Sequence, residues 1–308
     1  MNFENLTCKN WSKLLTRPTK TVEDIESTVT EIFKEVSLKG AAAIEKYTLL
    51  FDGVTISEIL VSPTEINSAI LGVSDELKKA IQVAKNNIET FHKAQKTRKV
   101  RVETTKGVTC WQEKRPIQQV GLYIPGGTAP LFSTVLMLAI PAKIAGCKEI
   151  VLCSPPNKNG VINPAILYAA NLCGVTKIYK VGGIQAIAGM TFGTENIPKV
   201  SKIFGPGNQF VTVAKQLATK YGVAIDMPAG PSELLIVADD TANAAFVASD
   251  LLSQAEHGTD SQVILVSVSK KLINNVIIEI ERQLDDLPRK DIAEQALKNS
   301  KLIYVQNT

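Results

Sequence analysis

The chain has 308 residues, of which 45% are hydrophobic, and this apolar content is enough for two domains with full cores. Its net charge at pH 7 is only +4. Its densest basic cluster, Lys96 to Arg101, has no interleaved aromatic residues, so a nucleic-acid surface is not expected. With five cysteines and no CxxC spacing, no secretory leader and no apolar run of the ~18 residues that cross a membrane, we expect a cytoplasmic protein with free thiols.

Helical patterns occupy most of the first hundred residues, and we expect residues 1–20 to form an amino-terminal helical segment. One amphipathic helix is predicted by apolar residues at four- and three-residue steps, namely Leu77, Ile81, Ala84, Ile88 and Phe91. Ser74 is its expected N-cap. His92 lies at its far end, where the helix dipole favours a cation, and is expected to be structural. Residues 100–104 and 107–111 predict a hairpin.

From Val120 the pattern changes to a repeated strand, glycine turn and helix. The predicted strands have the sequences QQVGLYIP, KEIVLCSP, KIYKV and KIFG, and the helices between them begin near Pro130, Pro164, Ile184 and Asn208. Short apolar strands that alternate with longer helices indicate parallel βαβ units. Further strands are predicted at 234–238, 263–268 and 301–305, with helices at 242–257, 271–287 and 291–299.

The spacing of predicted strands and helices changes near residues 125 and 230, and these two positions define the predicted domain boundaries. We predict an α/β protein of two Rossmann-like parallel α/β domains, one inserted in the other, after the amino-terminal helical segment. The first domain is expected to comprise residues 21–125 and 230–308, and the second domain residues 126–229.

Three glycine turns follow predicted strands: Pro125-Gly126-Gly127, Gly182-Gly183 and Gly205-Pro206-Gly207-Asn208. The carboxyl edge of an open parallel sheet is where ligands bind, and glycine lets the backbone approach a phosphate. None of the turns matches GxGxxG, so plain βα turns remain an equal alternative to a nucleotide site.

Gln254 and His257 are the candidate metal ligands. Residues three apart on a helix share a face, so both side chains can point at one object. His257 is one of only two histidines in the chain. Two donors make a poor metal site by themselves, and solvated helix residues are the alternative. Glu256 is expected to point away from that face.

Several long segments resemble histidinol dehydrogenase, the zinc- and NAD-dependent enzyme that completes histidine biosynthesis. The resemblance extends from the Trp11 region to the last strand and is carried by VGLYIPGGTAPLFSTVLMLAIPA, VGGIQAIAGMTFG, KIFGPGNQFV and IDMPAGPSELLIVADDTANAAFVASDLLSQAEHG. It implies two successive NAD-dependent oxidations of L-histidinol, through a bound aldehyde, to L-histidine.

The resemblance also implies roles for individual residues. Tyr123, Gln185 and Asn208 stand where the family contacts NAD. Gln254 and His257 match zinc ligands that also face the substrate, and Ser232 matches a substrate contact. Zinc is expected to position histidinol within a homodimer.

The family's adjacent Glu-His pair of general bases, an Asp ligand and a second His ligand, lent by the partner subunit, are expected downstream of Thr308. On this reading the 308 residues are an inactive NAD-binding remnant or one half of a split enzyme. Strand 301–305 is then expected to expose an unpaired edge and apolar surface.

A different enzyme class remains open, an aldehyde dehydrogenase with Cys153 as its nucleophile. A reactive thiol needs a lowered pKa, and Lys148 is the nearby cation in sequence. A small buried apolar side chain is the favoured role for Cys153.

Overall fold

A computed structural model describes residues 2–5, 15, 22–126, 130–228 and 232–306. Its elements are, in chain order, β1 (Asn2–Asn5), α1 (Val22–Lys39), α2 (Ala41–Asp52), α3 (Pro63–Gly72), α4 (Asp75–Ala94), β2 (Val100–Thr105), β3 (Val108–Gln112), β4 (Gln119–Tyr123), α5 (Phe132–Ala145), β5 (Glu149–Ser154), α6 (Pro164–Cys173), β6 (Lys177–Lys180), α7 (Gly183–Phe192), β7 (Lys202–Phe204), α8 (Gln209–Thr219), β8 (Ala224–Ile225), β9 (Glu233–Ala238), α9 (Ala244–Ala255), β10 (Gln262–Ser267), α10 (Lys270–Leu284), α11 (Lys290–Lys298) and β11 (Lys301–Tyr304).

The chain forms two compact units. The continuous unit is Val22–Pro228, and the split unit joins Met1–Thr21 to Ala229–Thr308. The predicted first domain is therefore divided differently: residues 22–125 belong to the same unit as the five-stranded sheet. The physical reason is that α1 and α2 bury their apolar faces against α7 and α8 of the continuous unit.

The continuous unit is built on a five-stranded sheet in the order β6-β5-β4-β7-β8, with every neighbouring pair parallel. The chain starts at the central strand, moves outward to β6, then returns to the other side of β4. This is the doubly wound arrangement that the sequence predicted. Its strand order reverses between β4 and β7, the place where open α/β sheets bind ligands.

Helices cover both faces of this sheet. One core cluster joins the sheet to α1, α2, α7 and α8, and a second joins the opposite face to α3, α4, α5 and α6. Successive residues of a strand face opposite sides. Leu122 therefore belongs to the second cluster and Tyr123 to the first. The alternation along β4 thus directs Tyr123 to the side on which α2 and α7 pack.

The predicted amphipathic helix is confirmed as α4. The Ser74 hydroxyl accepts a hydrogen bond from the backbone N–H of Leu77 at 3.2 Å, as an N-cap should. Ile81 is buried, but Phe91, predicted for the same stripe, is 64% exposed. Its position at the far end of α4 lies beyond the part of the helix that meets the second cluster. The hairpin of β2 and β3 is antiparallel, as predicted.

The split unit contains a four-stranded parallel sheet in the order β1-β11-β10-β9, packed against α9, α10 and α11. The predicted unpaired edge at β11 is wrong, because β1 and β10 flank that strand on both sides. Apolar exposure falls instead on β9, where Leu235 is 61% and Val237 is 60% exposed.

The predicted amino-terminal helical segment is wrong for residues 2–5. Residues 2–5 form strand β1 rather than a helix, because pairing with β11 satisfies their backbone groups. Apart from Leu15, which lies in a turn, the rest of the predicted segment 1–20 lies outside the described residues, as does Trp11. Across the described residues, none of the helices has the length and apolar character needed to cross a bilayer.

Candidate functional site

Tyr123 is the last residue of β4, and its side chain is hydrogen-bonded to the start of α7. Its phenol oxygen accepts a hydrogen bond from the backbone N–H of Gly183 at 3.1 Å. The side chain is buried, and burial raises the pKa of Tyr123 to about 12. The phenol therefore stays neutral near pH 7 and retains its own O–H hydrogen for donation to a ligand.

Gln185 lies in the first turn of α7 and is fully buried. Its Nε2 donates to Oδ2 of Asp52 at 3.4 Å, a long hydrogen bond. Among the described residues its Oε1 has no hydrogen-bond partner. A buried acceptor without a partner is costly, which indicates that a donor outside this chain completes it.

Asp52 is the last residue of α2, where the negative end of the helix dipole disfavours a carboxylate. Burial raises its pKa from 3.8 to about 6. It also interacts electrostatically with Tyr123. Asp52 therefore contacts Gln185, and its charge helps to raise the pKa of Tyr123. Asp52 was not predicted from the sequence, although an acidic residue before Gly53 at a helix end was an available signal.

The turn after β7 begins directly against Tyr123. Gly205 has φ of 133°, and a methyl group there would overlap the backbone oxygen of Tyr123. Only glycine permits both that conformation and that approach. The two strand ends that meet at the reversal of strand order are thus in contact.

Asn208, at the end of this turn, is the N-cap of α8. Its Oδ1 accepts from the backbone N–H of Val211 at 3.0 Å. The side chain is exposed, so its Nδ2 group is accessible to solvent and ligands. Of the other predicted turns, Gly126 packs against Pro155, whereas Gly127 lies outside the described residues.

The structure thus gathers the predicted nucleotide residues at one edge of the continuous unit. Tyr123 contacts the start of α7, whose first turn carries Gln185, and the turn leading to Asn208 starts against Tyr123. A neutral phenol, an unpartnered amide oxygen and glycine-rich turns at a topological switch point suit a dinucleotide.

Gln254 and His257 lie in the split unit at the end of α9. The helix ends at Ala255, two residues earlier than predicted, so His257 lies in the following turn. Its backbone N–H donates to the carbonyl oxygen of Gln254 at 3.3 Å, which keeps the two residues one turn apart. Gln254 is half-buried, His257 is exposed, and Glu256 is the C-cap between them.

Ser232 precedes β9 and is half-buried. Its carbonyl oxygen accepts from the backbone N–H of Gln262 at 3.1 Å, which anchors it at the amino-terminal end of the β9–β10 pair. Residues 229–231, just before it, lie outside the described residues.

Zinc takes three or four protein donors. Within the part of the chain that the structure describes, His, Cys, Asp and Glu form no group of three that could hold a metal ion. Gln254 and His257 therefore offer two donors, which fit part of a zinc site and not a whole one. His92, the other histidine, is half-buried in the last turn of α4, with Nδ1 2.7 Å from Oε1 of Gln95.

Comparison with known proteins decides the family. The model of the histidinol dehydrogenase family matches residues 15–308. The chain belongs to the histidinol dehydrogenase family. It is 59% identical over 299 residues to histidinol dehydrogenase of Bacteroides thetaiotaomicron, covering 97% of this chain and 70% of that protein. It is 54% identical over 310 residues to the enzyme of Escherichia coli O157:H7, covering 100% of this chain and 70% of that protein.

A solved structure agrees with the fold. The crystal structure of histidinol dehydrogenase from Elizabethkingia anophelis matches with a TM-score of 0.93 at 56% identity. That match covers 100% of this chain and 71% of the other. The α/β architecture described above is therefore that of the histidinol dehydrogenases, an oxidoreductase family of histidine biosynthesis.

The alternative nucleophile, Cys153, is fully buried in β5. Burial raises the pKa of the Cys153 thiol far above its ordinary value. A nucleophilic cysteine needs the opposite shift. In this histidinol dehydrogenase family member, Cys153 packs as a small apolar side chain.

Proposed function

We propose that this chain carries out its part of the NAD-dependent oxidation of L-histidinol, through a bound aldehyde, to L-histidine. Family membership supports the substrate. The observation that carries the cofactor assignment is the Oε1 of buried Gln185, which has no hydrogen-bond partner in the described part of the chain and lies at the switch point of the sheet.

In this proposal, the residues at the ends of β4 and β7 would hold NAD, which would supply the hydride acceptor for each of the two oxidations. Gln185 accepts a hydrogen bond from the dinucleotide through Oε1, and Tyr123 donates one through its phenol. Asn208 donates through Nδ2, since its Oδ1 caps α8. The glycine-rich turns let backbone N–H groups approach the pyrophosphate.

Substrate binding is assigned to the split unit. Ser232 holds histidinol by its hydroxyl group, while Gln254 and His257 contribute two donors toward zinc and face the substrate. Zinc would position the substrate, and its remaining ligands come from other residues, one of them from the partner subunit of a homodimer. We derive no reaction step through the metal, because two donors do not define its geometry.

Both oxidations need a general base, whose loss lowers the rate by ~10²–10⁴-fold. The family's Glu-His pair does not correspond to Glu256-His257, because His257 matches a zinc ligand. We therefore propose that the bases are supplied by residues other than these 308.

The test has two arms on the purified chain. Calorimetric titration with NAD is expected to show binding. Histidinol-dependent NADH formation, with zinc present, is expected only after a segment carrying the family's Glu-His pair is added. Failure to bind NAD would overturn the cofactor assignment, whereas full turnover by the chain alone would show that the bases lie within it.

A further inference from the structure

Lys215 is a lysine on the buried face of a helix. It lies in α8 between Val211 and Ala218, which share that face and are both buried. Its side chain is 3% exposed. Lysine is almost never buried to this extent unless it is paired, so the contacts of its ammonium group explain its presence.

Those contacts close a ring around one residue, Gly205. The Nζ of Lys215 donates to the carbonyl oxygen of Gly205 at 2.6 Å and forms an ion pair with Asp226. The Oδ2 of Asp226 accepts from the backbone N–H of Gly205 at 2.8 Å. Cation and anion thus hold the acceptor and the donor of the same residue while they neutralise each other.

A structural role alone does not account for this ring. Taking an ion pair out of water is expensive, and apolar residues of similar volume often stabilise a fold as well or better. The ion pair fixes the orientation of the Gly205 backbone, because it binds the N–H and the C=O group of that residue at once. Gly205 is the residue that passes against the backbone of Tyr123 at the reversal of strand order.

We propose that Lys215 and Asp226 are positioning residues of the nucleotide site, which hold the turn Gly205–Asn208 in the conformation that binds NAD. This inference rests on the proposed NAD function of the same edge. Neither side chain needs to touch the dinucleotide. They act through Gly205, and the position of the backbone N–H groups after it depends on them.

The test replaces the ring with apolar side chains. Wild type and a Lys215→Met/Asp226→Leu double variant are titrated with NAD, and their urea unfolding is measured in parallel. The unfolding free energy should fall by about 1–3 kcal/mol, because the N–H and C=O groups of Gly205 lose their side-chain partners. The Kd for NAD should rise about tenfold or more, as when supports behind a binding group are lost.

A matched control removes an exposed ion pair from the same unit, the one between Lys220 and Glu26 at 3.3 Å. The Lys220→Met/Glu26→Leu variant should bind NAD like wild type. A folded Lys215→Met/Asp226→Leu chain with a Kd within about twofold of wild type would overturn the positioning role, since a structural role alone predicts that result. If the wild-type chain does not bind NAD, the proposed cofactor is wrong. If it binds NAD and the variant binds equally well, only the positioning role of Lys215 and Asp226 is wrong.

Should the double variant fail to fold, Asp226→Asn decides the matter. Asparagine keeps the shape of the aspartate side chain and an oxygen that can accept from the Gly205 N–H, but it removes the negative charge that pairs with Lys215. We expect faster hydrogen exchange at the Gly205 amide together with a Kd for NAD raised about fivefold, as for loss of one charge-assisted hydrogen bond. Faster exchange with an unchanged Kd would overturn the proposal.

Discussion

Gln185 donates to Asp52 across 133 positions of sequence, and the bond decides which end of the Gln185 amide is free. A carboxylate can only accept, so it takes the Nε2 end and leaves Oε1 available. The buried Oε1 has no partner among the described residues. The site is therefore prepared to accept a hydrogen bond at this position.

Replacing Gln185 tests that acceptor. Gln185→Leu keeps much of the side-chain volume, and we expect the Kd for NAD to rise about tenfold, since one hydrogen bond in a buried site contributes about 1–2 kcal/mol. The unfolding free energy should change little: a buried acceptor without a partner among the described residues is removed, which offsets loss of the long hydrogen bond to Asp52. Calorimetry and urea unfolding give both values.

The matched control lies on the same helix. Thr191 is buried, and its hydroxyl group donates to the carbonyl oxygen of Ile187 at 2.7 Å, within α7. Thr191→Val should leave NAD binding unchanged. Equal loss of NAD affinity in Gln185→Leu and Thr191→Val would mean that packing of α7, not the Oε1 acceptor, determines binding.

Asp52 should give stability a defined pH dependence. Its folded-state pKa is about 6, against an ordinary value of 3.8, so the folded chain holds the proton more tightly than the unfolded chain. The contribution of Asp52 to stability is therefore greatest below 3.8, falls as the pH rises to about 6 and is constant above that.

Asp52→Asn removes this titration. We expect its unfolding free energy, minus that of wild type, to increase from pH 3.8 to about 6 and then level off, as measured by urea unfolding. Glu45→Gln is the control, since Glu45 is exposed on the same helix. A flat difference for Asp52→Asn would show that Asp52 titrates alike in both states.

Gly205 should tolerate no side chain. Gly205→Ala combines φ of 133° with overlap of the Tyr123 carbonyl oxygen. We expect a loss of about 3 kcal/mol in unfolding free energy. Gly222→Ala is the comparison, because Gly222 also has positive φ, 81°, but open space around it. Its expected loss is about 1 kcal/mol. Similar losses at both positions would show that steric overlap at Gly205 is relieved by local movement.

Zinc binding to the chain should be weak and should depend on one histidine. With Gln254 and His257 as its donors, we expect a calorimetric Kd no tighter than about 10 μM, far from that of closed zinc sites. His257→Ala should abolish the binding, and His92→Ala should leave it unchanged. Stoichiometric sub-micromolar binding by wild type would show that these 308 residues contain further ligands.

The local elements were predictable because they follow from local patterns. The stripe from Leu77 to Ile88 specified α4, and Ser74 marked its start. The boundary of α9 was less predictable: the pattern extended to His257, but the helix ends at Ala255. Helix ends depend on the capping and packing of a few residues, which periodicity does not report.

The candidate site residues also divide into those that a local motif predicts and those that only tertiary contacts reveal. Six residues were predicted as site residues because they stand in motifs that resemble histidinol dehydrogenase: Tyr123, Gln185, Asn208, Ser232, Gln254 and His257. Asp52, Lys215 and Asp226 were not found, because each acts on a residue remote in sequence. For Lys215 the available signal was a charged residue on the apolar face of α8.

The sequence by itself determined most of the strands and helices after Ser74, the family, and the side chains that stand at strand ends. Only the tertiary structure decided which strands are neighbours. It placed β1 beside β11, so the predicted edge is paired, and it joined residues 22–125 to the five-stranded sheet. The reason is physical: a pattern of apolar residues states that a face is buried, whereas the partner of that face is selected by the packing of the whole chain.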